Sequence, residues 1–211
     1  MPEQRYDAVL FDLLTALLNS WSLWNSVAGS EDLGRRWRAE YLRITYRTGH
    51  YRSYEELVSQ AAEAVGLSCK ATGELAERYG ELRPWPGVVQ TLQHLSAQSI
   101  PLGIVTNCSE RLGRIAADCV GVPFTTVVTS ERAGFYKPDP RPYRLGLSEL
   151  SVDASRCLFV AGSAYDLVGT AAVGLPTYWH DRVGMTAPEG APPPLVHASS
   201  LDHLTPLARS R

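Results

Sequence analysis

A chain of 211 residues with 45% hydrophobic and 20% charged residues has the make-up of a water-soluble globular protein, one domain or one domain with an insertion. A formal net charge of -2 offers nothing to nucleic acid or an anionic membrane, and no apolar run reaches the ~20 residues that span a bilayer. The opening Met1-Pro2-Glu3-Gln4-Arg5 lacks the layout of a secretory signal, so a cytoplasmic protein is expected, with Cys69, Cys108, Cys119 and Cys157 as free thiols.

The apolar run at residues 8–11 predicts a buried strand that ends on Asp12. A carboxylate there is either a capping group or a nucleophile that forms an ester for water to cleave. The position two residues on is Leu14, so a second acid for magnesium-assisted phosphoryl transfer is missing. Residues 18–84 read as helical. Leu33, Trp37, Tyr41, Ile44 and Thr48 recur at helical spacing before Gly49 ends the pattern. Ser53 with Glu56 has the capping-box form and opens a helix to residue 65; another covers 71–79.

Pro84-Trp85-Pro86-Gly87 is strong punctuation, and strands alternate with helices after it. Helices are predicted at 88–97, 110–119, 140–150 and 167–173, strands at 101–105, 124–128, 157–161 and 177–179. Such alternation argues an α/β protein: a doubly wound parallel sheet, Rossmann-like, with a helical cap inserted after the first strand. The core is expected at 1–17 and 86–211, the cap at 18–85. Residues 184–194 carry four prolines and read as extended, and 197–211 as a short terminal helix.

Ligands of open α/β sheets sit at the carboxyl ends of the strands. Four polar clusters fall there: Asp12; Thr106-Asn107; Lys137 in Tyr136-Lys137-Pro138-Asp139-Pro140; and Gly162-Ser163-Ala164-Tyr165-Asp166. A hydroxyl and an amide can bind substrate oxygens, and a lysine can hold the nucleophile ionised. A second carboxylate can orient that lysine or activate water. His50, His94, His180, His197 and His203 show no ligand spacing and read as surface or packing residues. Cys108 reads as a bystander of the site.

These clusters, in this order, resemble the haloacid dehalogenase superfamily, most closely its 2-haloacid dehalogenase branch. There the first motif reads Asp-Leu-Tyr-Gly-Thr-Leu; here it is Asp12-Leu13-Leu14-Thr15-Ala16-Leu17. The branch's Ser-Asn pair matches Thr106-Asn107. Its Tyr/Phe-Lys-Pro-x-Pro-x-x-Tyr motif matches Tyr136 to Tyr143 without a gap. Phosphatases of the superfamily carry a magnesium-binding Asp where Gly162 stands and a second Asp where Leu14 stands. Dehalogenases read Ser-Ser-Asn-Ala-Trp-Asp at the fourth motif; here Asp166 is kept while Ala161 and Ser163 differ.

The resemblance implies a cofactor-free hydrolase of small 2-substituted carboxylic acids. Asp12 attacks C2, Thr106 and Asn107 hold the carboxylate, and Lys137 keeps Asp12 charged. Asp166 with Ser163 places the hydrolytic water, Tyr143 lines the site, and Leu14 contributes a less polar floor. Trp21 and Trp24 either wall the pocket or pack in the cap, and Asn25 is a candidate substrate contact. Arg38 either matches the cap arginine that meets the departing halide or is solvated like Arg35, Arg36 and Arg43. The Leu-Leu-Thr-Ala-Leu-Leu run with nearby tryptophans also resembles hydrolases that open L-azetidine-2-carboxylate, whose ring ammonium suits aromatic faces. A magnesium-dependent phosphatase and a non-catalytic binding module are the alternatives. The family likeness implies a homodimer.

Overall fold

The structure, a computed structural model, describes residues 6–208. Six parallel strands form one sheet: β1 (Ala8–Phe11), β2 (Leu102–Thr106), β3 (Thr126–Thr129), β4 (Cys157–Ala161), β5 (Thr177–His180) and β6 (Val196–Ala198), in the order β3-β2-β1-β4-β5-β6. Strand β1 is flanked by β2 on one side and β4 on the other, so the chain reverses its direction of travel there. That crevice is where open sheets bind ligands, and Asp12 is the first residue past β1.

Strands β1 to β5 are buried along their whole length because both faces are covered, and β1, β2 and β4 read as nearly continuous apolar runs. Side chains alternate across the sheet. Val9 and Phe11 join a cluster with α5 (Val88–Ala97) and α6 (Glu110–Cys119); Ala8 and Leu10 join another with α8 (Pro140–Leu150) and α9 (Asp166–Ala172). A short α7 (Ser130–Ala133) follows β3, and α10 (Leu204–Leu207) packs against α5.

Between β1 and α5 the chain forms α1 (Ser20–Ala28), α2 (Glu31–Thr48), α3 (Tyr54–Ala64) and α4 (Lys70–Glu77). Their ends follow local chemistry. Asn19, Ser30 and Ser53 accept from Ser22, Leu33 and Glu56 N–H groups, and Gly29 closes α1 in the left-handed region. Trp24, Trp37, Tyr41, Tyr54 and Tyr79 form the aromatic centre of this helical cap, continuous with the core cluster of β1 and β2. The two chain crossings of the cap run side by side, with Asn19 N–H donating to Arg83 O and Trp85 N–H to Leu17 O.

The terminal segment differs from expectation. Residues 196–198 form β6 rather than the start of a helix, because Val196 pairs with Tyr178 and the His197 ring stacks on Trp179 at 4.0 Å. Helix α10 holds four residues, and 209–211 lie outside the described residues.

Candidate active site

Asp12, Lys137 and Asp166 come from the ends of β1, of the loop after α7 and of the loop after β4, and they form a buried row. Lys137 Nζ lies 2.8 Å from Asp12 Oδ1 and 3.1 Å from Asp166 Oδ1. Asp12 Oδ2 accepts three bonds: Thr15 N–H at 3.0 Å, Thr15 Oγ1 at 2.6 Å and Ala16 N–H at 3.2 Å. Tyr143 donates to Asp166 Oδ1 at 2.7 Å.

Burial is the largest influence on Asp12 and pushes its carboxyl up; the Lys137 charge and the Thr15 donors outweigh it and hold the group below the ordinary range. Asp166 goes the other way. Burial dominates, Asp12 adds repulsion, and Lys137 only partly offsets them, so the carboxyl is pushed up to about 6. Burial works against the Lys137 charge, but two carboxylates beside it raise its value. The row therefore holds one carboxylate fixed as an anion and one poised to take a proton near neutral pH.

Asn107 braces the Lys137 loop. Its Oδ1 accepts from Lys137 N–H at 2.8 Å and Ser130 Oγ at 2.9 Å, while its Nδ2 donates to Lys137 O at 3.1 Å. Tyr143, expected to line the site, is fully buried and spends its hydroxyl on Asp166. Asn25 sits where α1 crosses α2: a Cβ on Gly34 would stand 2.4 Å from Asn25 Oδ1, so Gly34 permits the crossing. That places Asn25 at a helix contact, where its Oδ1 is buried with no hydrogen-bond partner among the described residues. Thr106 Oγ1 is buried with no hydrogen-bond partner among the described residues. Leu14 is buried, and Ser163 Oγ accepts from Tyr165 N–H at 3.3 Å.

Arg38 is 1% exposed. Its guanidinium lies over Trp24 at 4.8 Å, Tyr41 at 5.4 Å and Trp21 at 5.8 Å. Its Nε and Nη1, and the indole nitrogens of Trp21 and Trp24, have no hydrogen-bond partner among the described residues. Arg38 is thus not a solvated arginine, and Trp24 both packs in the cap and roofs the cation. Tyr41 links the two halves, donating to Asn107 O at 2.7 Å.

Sequence reasoning passed over three residues. Thr15 stands one place before the family threonine, yet its hydroxyl reaches Asp12; an acid followed three residues later by threonine is the local signal for it. Tyr46 of α2 stacks on Tyr165 at 4.8 Å, and its hydroxyl is pushed well above its ordinary value by burial and by the Asp166 and Asp12 charges. His180 is neither on the surface nor mere packing: its Nδ1 lies 2.8 Å from Ala16 O, beside the nucleophile. Cys108 is buried, its thiol pushed up to about 12 by burial.

A magnesium ion does not fit this donor set. Lys137 Nζ already stands between the two carboxylates. A Cβ on Gly162 would lie 2.1 Å from Ala16 N and 2.2 Å from Thr15 C, so no side chain can stand there.

A profile of haloacid dehalogenase-like hydrolases matches residues 6–174. The chain belongs to this family. It is 26% identical over 181 residues to the (S)-2-haloacid dehalogenase of Pseudomonas sp. (strain YL), covering 81% of this chain and 78% of the relative. Its fold matches a crystal structure of a dehalogenase with an intermediate complex, at TM-score 0.84 and 23% identity over 99% of both chains. It also matches the L-2-haloacid dehalogenase of Xanthobacter autotrophicus with chloropropionic acid covalently bound, at TM-score 0.84 and 19% identity over 94% and 96%. At these identities the structural likeness speaks for the family's fold, and the chemistry rests on this chain's own side chains.

Proposed function

We propose that this chain hydrolyses small 2-substituted carboxylic acids through an ester on Asp12, with no cofactor, under a cap formed by residues 18–85. The observation that carries the reading is the Asp12-Lys137-Asp166 row together with a buried arginine whose Nε and Nη1 lack acceptors among the described residues. Three donors occupy Asp12 Oδ2, whereas Oδ1 meets Lys137 alone and keeps a lone pair. Oδ1 is the attacking atom. It forms a bond to C2 while the C2–X pair leaves with X, inverting the carbon. The carboxylate of the acid and the departing group divide Thr106 Oγ1, Arg38 and the indole N–H groups between them.

In the second step water attacks Cγ of the ester. Negative charge develops on Oδ2, where Thr15 N–H, Thr15 Oγ1 and Ala16 N–H form an oxyanion hole. Asp166, with Ser163 beside it, takes a proton from the water and passes it to the Oδ1 alkoxide that leaves with C2. Lys137 steadies that alkoxide. Asp12 regains a carboxylate carrying the water oxygen, and a proton is released.

A halide is the better-supported leaving group. The aromatic faces that would suit the ring ammonium of L-azetidine-2-carboxylate already carry the Arg38 cation. The relatives named as (S)-2-haloacid dehalogenases point to the same class.

The test is turnover in chelator-treated buffer with both enantiomers of 2-chloropropionate, L-azetidine-2-carboxylate and p-nitrophenyl phosphate. Chloride release, its loss in Asp12→Asn, and single-turnover transfer of label from oxygen-18 water into Asp12 are expected. Turnover of the phosphate alone, restored by magnesium, would overturn the reading.

A further inference from the structure

The nucleophile loop is held from outside by three side chains that belong to distant segments. Ser20 Oγ, at the start of α1, donates to Leu14 O. Trp85 Nε1, where the chain returns from the cap, donates to Thr15 O at 3.0 Å. His180 Nδ1, at the end of β5, lies 2.8 Å from Ala16 O. A carbonyl only accepts, so the His180 proton is on Nδ1. Burial, the largest influence on His180, lowers its value and keeps the ring neutral. Three successive carbonyls are thus turned outward and fixed. The peptides that Ser20 and Trp85 hold carry the Thr15 and Ala16 N–H groups, which point inward onto Asp12 Oδ2; His180 holds the next peptide, whose Leu17 N–H bonds Leu13 O and closes the same loop. Arg182, two residues past His180, lies over the Trp85 ring at 5.0 Å and joins two of the three holders.

We propose that Ser20, Trp85 and His180 are positioning residues that clamp the oxyanion hole on Asp12 Oδ2 and serve the ester-hydrolysis step. None touches the reacting atoms. Ester formation needs Oδ1, which the clamp does not touch. Ester hydrolysis puts charge on Oδ2, where a peptide N–H displaced by a fraction of an ångström loses its effect. The inference rests on the aspartyl-ester reading above. Its signature is a selective slowing of the second step, which general loosening of the fold does not produce.

The experiment compares wild type with Ser20→Ala, Trp85→Phe, His180→Gln and His180→Asn, using 2-chloropropionate, or L-azetidine-2-carboxylate if that is the acid turned over. The Asn amide nitrogen stands as many bonds from Cα as Nδ1 and restores the donor; the Gln nitrogen is one bond too far. Trp85→Phe and His180→Gln are expected to lower kcat about 10-fold while kcat/KM, which reports only ester formation, stays within about 2-fold. The covalent adduct on Asp12 then accumulates and is read by intact-protein and peptide mass. His180→Asn is expected to recover most of kcat, and Ser20→Ala to follow Trp85→Phe with a smaller loss. A fall in kcat/KM without adduct, kcat unchanged in all variants, or His180→Asn no better than His180→Gln overturns the clamp alone. A wild type that turns over no carboxylic acid overturns the function and the clamp together.

Discussion

On the sheet side of the site, buried charges answer one another. Lys137 touches Asp12 and Asp166, Tyr143 donates to Asp166, and Thr15 and Ala16 fill Asp12 Oδ2. On the cap side, Arg38 is buried as deeply, yet its Nε and Nη1 meet no acceptor among the described residues and its guanidinium lies over aromatic rings. The sheet side is complete as it stands and performs chemistry. The cap side carries a cation with two donors unpaired among the described residues, which the proposed reading completes with a ligand anion. Taking a charge out of water costs several kcal/mol, so a buried cation without a partner is binding energy stored for an anion.

Removing one cation from each side gives opposite stability changes if this comparison is right. Lys137→Met leaves two carboxylates facing each other in the interior. The unfolding free energy should fall by about 3–5 kcal/mol, the usual cost of breaking a buried pair. Activity should fall about 1,000-fold, since Asp12 loses the charge that keeps it ionised and steadies the alkoxide. Chemical denaturation and steady-state kinetics on the same preparation measure both. A Lys137→Met variant as stable as wild type would mean that the row is not the rigid half of the site.

Arg38→Met should hold or raise the denaturation midpoint, because it removes a desolvated charge and keeps apolar volume against Trp21, Trp24 and Tyr41. The cation–π contacts given up, each worth about 0.5–2 kcal/mol, offset part of that gain. The same change should lower kcat/KM at least roughly 30-fold, the ~2 kcal/mol floor for truncating one partner of a buried charge pair. A lowered midpoint would show that Arg38 is a structural residue with a partner of its own.

What the sequence announced and what it hid divide along the same line. Strands β1, β2 and β4 were legible because strands covered on both faces must be continuous apolar runs, and each ends on a polar cluster. Asp12 and Asp166 follow β1 and β4, whereas Lys137 stands in the loop after α7 and was legible from its motif. Strand β6 was not legible: Val196-His197-Ala198 becomes a strand only by pairing with β5. Spacing also says where a residue stands, not where its side chain points. Asn107 and Tyr143, read as substrate-facing, spend side-chain bonds on Lys137 and Asp166. Trp85 and His180 act on carbonyls 70 and 164 residues away, which no local pattern encodes. The unpaired donors of Trp21, Trp24 and Arg38 belong to no sequence motif and are visible only in three dimensions.

The finest difference between the two carboxylates lies in their protons. Asp12 is held below the ordinary range by Lys137 and the Thr15 donors against the push of burial, so it stays an anion across the working pH range. Asp166 is pushed up to about 6, by burial first and by Asp12 as well. Below that pH it is protonated and cannot take a proton from water, so kcat should fall toward tenfold per pH unit on the acid side. The Tyr143 hydroxyl favours the Asp166 anion by donating to Oδ1. Tyr143→Phe removes that donor, and the acid limb of kcat should move to higher pH. The plateau above the limb should change little, because Tyr143 touches no reacting atom. The sign is fixed: losing a donor to the anion raises the carboxyl's value, so the variant loses activity at pH 6 and regains it at pH 8. A limb that stays in place would take the base role away from Asp166 and give it to a group that Tyr143 does not touch.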